Sequence, residues 1–312
     1  MTDTRARSRP APKSRSRGNW LVIAAPYAWL LVFFLAPFAL VLKISLSQSA
    51  LSQPPYAPVL DRSDDLHRVW EKLSSLSFES FRGLFEDSLY VQSYISSVLI
   101  AAIATLLTLL VAYPFALAIA RSSSQLRTIL LGLAIAPFWT SFLIRVYAWI
   151  AILKDEGLLN HFLMSIGLTD APLGIFATNT AVVIGVVYSY LPFMLLPLYA
   201  AIEGQDPALL EAAADLGASP WRAFCRITLP LSARGIMAGC LLVFIPAVGE
   251  FVIPDLLGGS DTLMIGRTLW NDFFLNRDWP TASAAAIVLL ILLVGPLLVY
   301  ERLQLQDEGR RA

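Results

Sequence analysis

Long stretches of apolar residues, broken by short polar loops, run six times along this chain, at about 20–42, 95–120, 128–153, 179–202, 235–257 and 280–300. Each is near the roughly 20 helical residues that cross a hydrocarbon layer about 30 Å thick. A helix also satisfies its own backbone polar groups in lipid. The pattern therefore predicts an all-α polytopic membrane domain of six spans over 20–302, with short tails at 1–19 and 303–312. The first run follows a basic stretch, as a secretory signal would, but it carries no charge from Trp20 to Leu42. That exceeds the apolar part of a signal peptide, so it reads as a permanent anchor. The longest loop, about 45–92, places Leu66, Val69, Trp70, Leu73 and Leu76 at helical spacing. A short helix lying on the membrane interface is expected there, with docking of an external partner as the functional alternative.

Composition agrees: 57% of the 312 residues are hydrophobic and 15% charged, too apolar for a soluble domain of this size. The zero net charge gives no support to nucleic-acid binding. The placement of lysine and arginine is more informative. With six spans both termini share a side, and that side receives Arg5, Arg7, Arg9, Lys13, Arg15, Arg17, then Arg121 and Arg127, then Arg222, Arg226 and Arg234, then Arg302, Arg310 and Arg311. The opposite side receives half as many, in Arg62, Arg68, Lys72, Arg82, Lys154, Arg267 and Arg277. Positive loops stay inside, so both termini are expected in the cytoplasm. The basic, proline- and serine-containing segment 1–19 reads as a disordered tail. Cys225 and Cys240, and His67 and His161, show neither disulfide nor metal-ligand spacing.

The loop between the fourth and fifth runs, 203–234, carries ordered signals. Asp206 with Pro207 starts a helix, Gly217 supplies the left-handed residue that ends it, and Ser219 with Pro220 starts a second. Leu209, Ala212, Ala213 and Leu216 fall on one narrow face, where small alanines permit close approach of another surface. Glu211-Ala212-Ala213, Gly217, then Ile227, Leu229 and Pro230 resemble the EAA loop of ABC importer permeases. That resemblance implies the type I importer permease (MetI-like) fold. It also implies a coupling helix in which Glu211, Ala212, Ala213 and Gly217 contact or position a cytoplasmic ATPase. The implied partners are a sister permease, an ATPase dimer and a periplasmic solute-binding protein, in a bacterial inner membrane. No lysine here follows a glycine, so the chain has no P-loop and no cofactor of its own; ATP is expected on the ATPase subunit.

Charges within spans cost about 2.5–3.5 kcal/mol each on insertion scales, which singles out Arg145, Glu250 and Asp255. Counted along straight helices at about 1.5 Å per residue, Arg145 and Glu250 lie roughly 25 and 22 Å from the cytoplasmic ends of their spans. Two readings stay open: a buried ion pair between them, or a Glu250 that faces the translocation path and attracts a cation. Pro246, Gly249 and Pro254 interrupt the fifth run around these acids, and broken backbone at membrane depth is tolerated where it meets protein or a wet cavity. Asp255 would sit near the outer mouth. Trp139, Tyr147 and Tyr190 are candidates for cation–π contacts to an ammonium group, with core or interfacial packing as the plain alternative for each.

The stretches 137–157, 188–202, 244–259, 264–270 and 276–280 are similar to those of putrescine and spermidine importer permeases, the putrescine type most closely. The likeness runs from about Pro26 to Pro296. It implies import of a small cationic polyamine, with no covalent chemistry in this chain. An intramembrane enzyme is disfavoured because no HExxH or GxSxG occurs. A secondary transporter would leave the ordered loop unexplained and lacks a paired internal repeat.

Overall fold

The computed structural model describes residues 18–61 and 64–309. These are mostly helical, with one antiparallel pairing of Gln48–Ser49 and Tyr56–Ala57. The basic tail expected over 1–19 lies outside the described residues but for its last two. Four helices are long and apolar enough to cross a membrane: Ile23–Ser45, Ser88–Ala120, Asn179–Glu203 and Trp279–Leu298. Two bent pairs bring the number to six if each is one span: Ser124–Trp139 with Phe142–Ser165, and Pro220–Leu231 with Ala233–Val248.

Local chemistry explains the ends and the breaks. The second span starts at Ser88, ahead of its apolar run, because the Asp87 carboxylate accepts the Leu89 amide at 2.8 Å. Thr178 caps the fourth span in the same way through the Ala181 amide at 3.3 Å. The third run is not one helix. Pro137 sits in a 3₁₀ turn, Ala136–Trp139, Thr140 turns to extended backbone, and the two limbs meet at 91°. Proline lacks the donor that would continue the ladder. A depth for Arg145 counted along a straight third span therefore does not hold. The fifth run also breaks, between helices Ala233–Val248 and Val252–Leu257, at Gly249, Glu250 and Phe251.

Spans two, four and five form the centre of the molecule. Val182, Val186, Val248 and Ile253 fill one half of the core, and Ala112, Ala116, Met194, Leu198 and Val243 the other. Close approach of spans four and five depends on glycine: a Cβ on Gly239 would meet Met194 Sδ at 2.6 Å, and one on Gly235 the Pro197 carbonyl at 2.6 Å. The first span packs along the sixth, and its remaining surface, including Trp29, Phe33 and Phe34, is exposed, as suits a lipid-facing helix.

Two faces result. One, the loop face, bears Arg121, Arg127 and residues 203–234, tied together by an Arg127–Glu203 ion pair at 3.0 Å. The opposite, hairpin face bears residues 46–87 and 258–278. There the Lys43 ammonium donates to the Pro58 carbonyl and lies 4.3 Å over the Tyr56 ring. Lys72 bonds Asp64 at 2.5 Å and holds that carboxyl below its ordinary range. A helix is present in the long loop as Leu66–Ser74, with Leu66 90% exposed and Trp70 also turned outward.

Candidate functional site

The loop face carries a helix, Ala208–Asp215, with both ends chemically fixed. The Asp206 carboxylate accepts the Ala208 amide at 3.0 Å. At the other end Gly217 adopts φ +77°. The Gly217 amide bonds the Ala214 carbonyl and the Ala218 amide the Ala213 carbonyl, each at 2.9 Å. That pair of bonds is a Schellman stop, which needs the left-handed residue glycine supplies. Ala213 is buried in the chain's own fold, whereas Glu211 and Ala212 are exposed and Leu216 is 89% exposed. The four apolar positions read as one face thus divide: Ala213 anchors the helix, and Leu209, Ala212 and Leu216 are left for something else.

Behind this helix the loop is fastened to the spans. Trp221 stacks on Phe224 at 5.3 Å, Phe224 meets the edge of Tyr113 at 5.6 Å, and the Tyr113 hydroxyl bonds Ser232 at 2.9 Å. Gln205 Nε2 donates to the Thr228 carbonyl at 3.1 Å. Packed rings and directed bonds thus join the loop to spans two and five.

The second feature is the break in span five. Glu250 is 8% exposed and fully engaged: Oε2 accepts from the Tyr190 hydroxyl at 2.6 Å, and Oε1 from the amides of Val252 at 3.0 Å and Ile253 at 3.4 Å. The carboxylate therefore satisfies the amides that the break leaves without helical partners. Gly266 lies directly against this point, where a Cβ would stand 2.3 Å from the Gly249 carbonyl oxygen and 2.5 Å from that of Glu250. Asp255, half-exposed, pairs with Arg267 at 3.3 Å, and Arg267 also donates to the Gly259 carbonyl at 2.9 Å.

Residues 112–301 match the family described as "Binding-protein-dependent transport system inner membrane component". The chain belongs to this family. The transport-system component is 40% identical over 282 residues to the "Spermidine/putrescine transport system permease protein PotB" of Haemophilus influenzae, covering 90% of this chain and 92% of that protein. It is 48% identical over 216 residues to the protein of the same name from Escherichia coli K12, covering 69% and 78%. Against a chain of a bacterial ABC transporter involved in the import of the acidic polysaccharide alginate, the TM-score is 0.66 at 19% identity, covering 92% and 96%. For the MetNI methionine ABC transporter it is 0.53 at 14% identity, covering 69% and 94%. The fold of this inner membrane component is that of a type I ABC importer permease.

Within the permease the sequence candidates do not gather at one point. Tyr190 and Glu250 meet directly; Asp255 is held by Arg267; Trp139, 86% exposed, and Tyr147 lie on the surface of the bent third span. Arg145 does not pair with Glu250. Its guanidinium donates to the Pro137 carbonyl at 3.1 Å and covers the Phe138 ring at 4.4 Å, while its buried Nε has no partner. The 91° bend puts Pro137 and Phe138 where an acid would otherwise be needed. Rings bridge the two charges instead: Phe138 meets Phe193 at 5.6 Å, and Phe193 meets Tyr190 at 6.0 Å. If the charges are independent, a double-mutant cycle of Arg145→Met and Glu250→Gln will be additive within about 0.5 kcal/mol in thermal unfolding. Rescue of Glu250→Gln by Arg145→Met would restore the ion pair.

Sequence reading missed Phe138, Phe193, Gly266 and Arg267. Arg267 was visible as a cation near an acidic break, but nothing in its spacing from Asp255 revealed the pairing. The hairpin face also buries Asp272, which accepts from Tyr90 at 2.9 Å and Asn276 at 3.0 Å. Burial pushes its carboxyl above the ordinary range, against the effect of those two bonds.

Proposed function

We propose that this chain is a permease subunit of an ATP-driven importer of polyamines, putrescine and also spermidine. The observation that carries the reading is similarity along nine-tenths of the chain to a permease named for spermidine and putrescine. In this reading both termini are cytoplasmic, so that the loop face meets an ATPase dimer and the hairpin face meets a periplasmic solute-binding protein. A sister permease completes the path, and ATP is bound by the ATPase. Substrate delivered from the periplasm passes the break in span five. Glu250, Asp255, Tyr190, Trp139 and Tyr147 border that path, the acids and ring faces attracting an ammonium group.

The fold itself does not choose the substrate, since the alginate and methionine transporters share it. The decisive measurement is uptake of labelled putrescine by cells with and without this chain, competed with spermidine, amino acids and inorganic anions. Loss of uptake on deletion, with competition by spermidine alone among the competitors, supports the assignment. Uptake that is unchanged by deletion overturns it.

Coupling has its own test. A β-branched residue at the φ of Gly217 is strained by about 1–3 kcal/mol, so Gly217→Val will loosen the end of the docking helix. Glu211→Ala removes an exposed carboxylate without touching the core. Both variants are expected to insert normally and to lower uptake at least tenfold; normal uptake in both removes the coupling role from Ala208–Asp215.

A further inference from the structure

Between the base of the loop-face helix and the ends of spans two and four lies a cavity of 430 Å³ that the transport reading does not use. Its polar wall is built by Arg121, Arg127, Glu203, Gln205, Asp206 and Thr228, and its apolar wall by Leu117, Ile202 and Leu210. The acids in it are already engaged. Glu203 accepts from Arg127 at 3.0 Å, and Asp206 accepts the Ala208 amide. The donors are not. Arg121 is exposed, and beyond its backbone amide, which bonds the Leu117 carbonyl at 3.1 Å, its guanidinium has no hydrogen-bond or ion-pair partner among the described residues. Arg127 spends its terminal nitrogens on Glu203 and on the Ala120 and Ser122 carbonyls, at 2.9 and 3.4 Å for the latter two, and leaves a buried Nε without a partner. Thr228 is 1% exposed, lines the cavity, and its Oγ1 is likewise without a partner.

A buried donor without an acceptor costs about 1–3 kcal/mol, and two such groups beside an unpaired guanidinium call for a compact, acceptor-rich anion. We propose that this cavity binds a phosphate group, held by Arg121 and Arg127 with the Thr228 hydroxyl. Arginine suits it because its planar donors match phosphate oxygens. The apolar wall suits a phosphate carried on a lipid headgroup, and the same donors suit a free phosphate. Arg127 Nε and Thr228 Oγ1 are shielded from solvent, on residues that line the cavity, so an acceptor would reach them only with a shift of the loop. Gln205, bonded to the Thr228 carbonyl, and Asp206, which caps Ala208–Asp215, belong to the same loop and would move with it. Occupancy therefore sets the position of the docking helix. Phosphate binding stands without the transport assignment; only its effect on coupling rests on it.

The test uses the full chain, purified and stripped of lipid by detergent exchange. Phosphatidylglycerol and phosphatidic acid are titrated in mixed micelles, and inorganic phosphate is titrated separately at constant ionic strength against chloride. Thermal stability and native mass spectrometry are the readouts. Saturable binding of the lipids marks the headgroup as the source; saturable binding of inorganic phosphate marks the free anion; either supports the site if the variants lose it. Arg121→Gln, which breaks no bond in this structure, is expected to weaken binding about tenfold or more, and Thr228→Val by several-fold. Binding unchanged in both variants, or no saturable binding of any of the three probes, overturns the proposal.

Discussion

Gly266→Ala is expected to destabilise the protein by about 2–3 kcal/mol, or to keep it from accumulating in the membrane. The added methyl would fall 2.3 Å from the carbonyl oxygen of Gly249, and 2.5 and 2.8 Å from the carbonyl oxygen and carbon of Glu250. These are backbone atoms of the broken segment, and no rotamer change moves them aside. At Gly185 the obstructing atoms belong to side chains, Leu257 Cδ1 at 2.6 Å and Ile253 Cγ2 at 2.9 Å, which can give by small rotamer shifts where backbone cannot, so Gly185→Ala should be milder. Gly132 has nothing within 4 Å and sits inside a helix; alanine there should be neutral or stabilising, by up to about 1 kcal/mol. Thermal unfolding of the three variants in one detergent separates these cases. Equal midpoints for Gly266→Ala and Gly132→Ala would mean that the close approach to the break does not exist.

Replacing Glu250 is expected to give two different failures according to what replaces it. Alanine removes the acceptor for the Tyr190 hydroxyl and for the amides of Val252 and Ile253 together, at about 1–3 kcal/mol for each buried donor left unmet. Glutamine keeps an acceptor oxygen for the two amides and the shape of the side chain, while removing the charge. Glu250→Ala should therefore melt early and accumulate poorly. Glu250→Gln should fold and, if a passing cation uses the charge, lose uptake about tenfold or more. Tyr190→Phe keeps the charge and frees Oε2, so its uptake should fall less than that of Glu250→Gln. A well-folded Glu250→Gln with full uptake would leave the acid a purely structural role at the break. Measuring surface abundance alongside uptake keeps the two failures distinct.

The ease with which parts of this molecule could be read from its sequence follows the range of the interactions involved. Asp206, Gly217 and the alanines between them act within one turn of themselves, so the loop-face helix, its start and its left-handed stop were legible from spacing. The runs of apolar residues announced the spans because lipid leaves the backbone few alternatives. The bend at Pro137–Ser141 was not legible, since proline inside a membrane helix is often accommodated with only a kink. Once the bend was missed, Arg145 and Glu250 looked equally deep and ready to pair. The partners they have instead, Pro137 and Phe138 for one and Tyr190 for the other, are set by the angle between limbs, which no local pattern encodes. Arg267 illustrates the same limit: its distance along the chain from Asp255 carried no period to detect. Tyr190 was picked out only as an available ring face; its hydroxyl, which reaches the acid, is what the fold uses.

The first span packs mainly along the sixth, with Lys43 near its end reaching Pro58 and Tyr56, and the family match starts only at residue 112. A part held by one edge is also a part that can be exchanged. Selection on its outward residues asks for little beyond oiliness and length, whereas the strip against the sixth helix must keep its shape. Descendants of a common ancestor would then be expected to differ most freely in this helix, with the machinery around the broken fifth span carried from one to the next nearly intact.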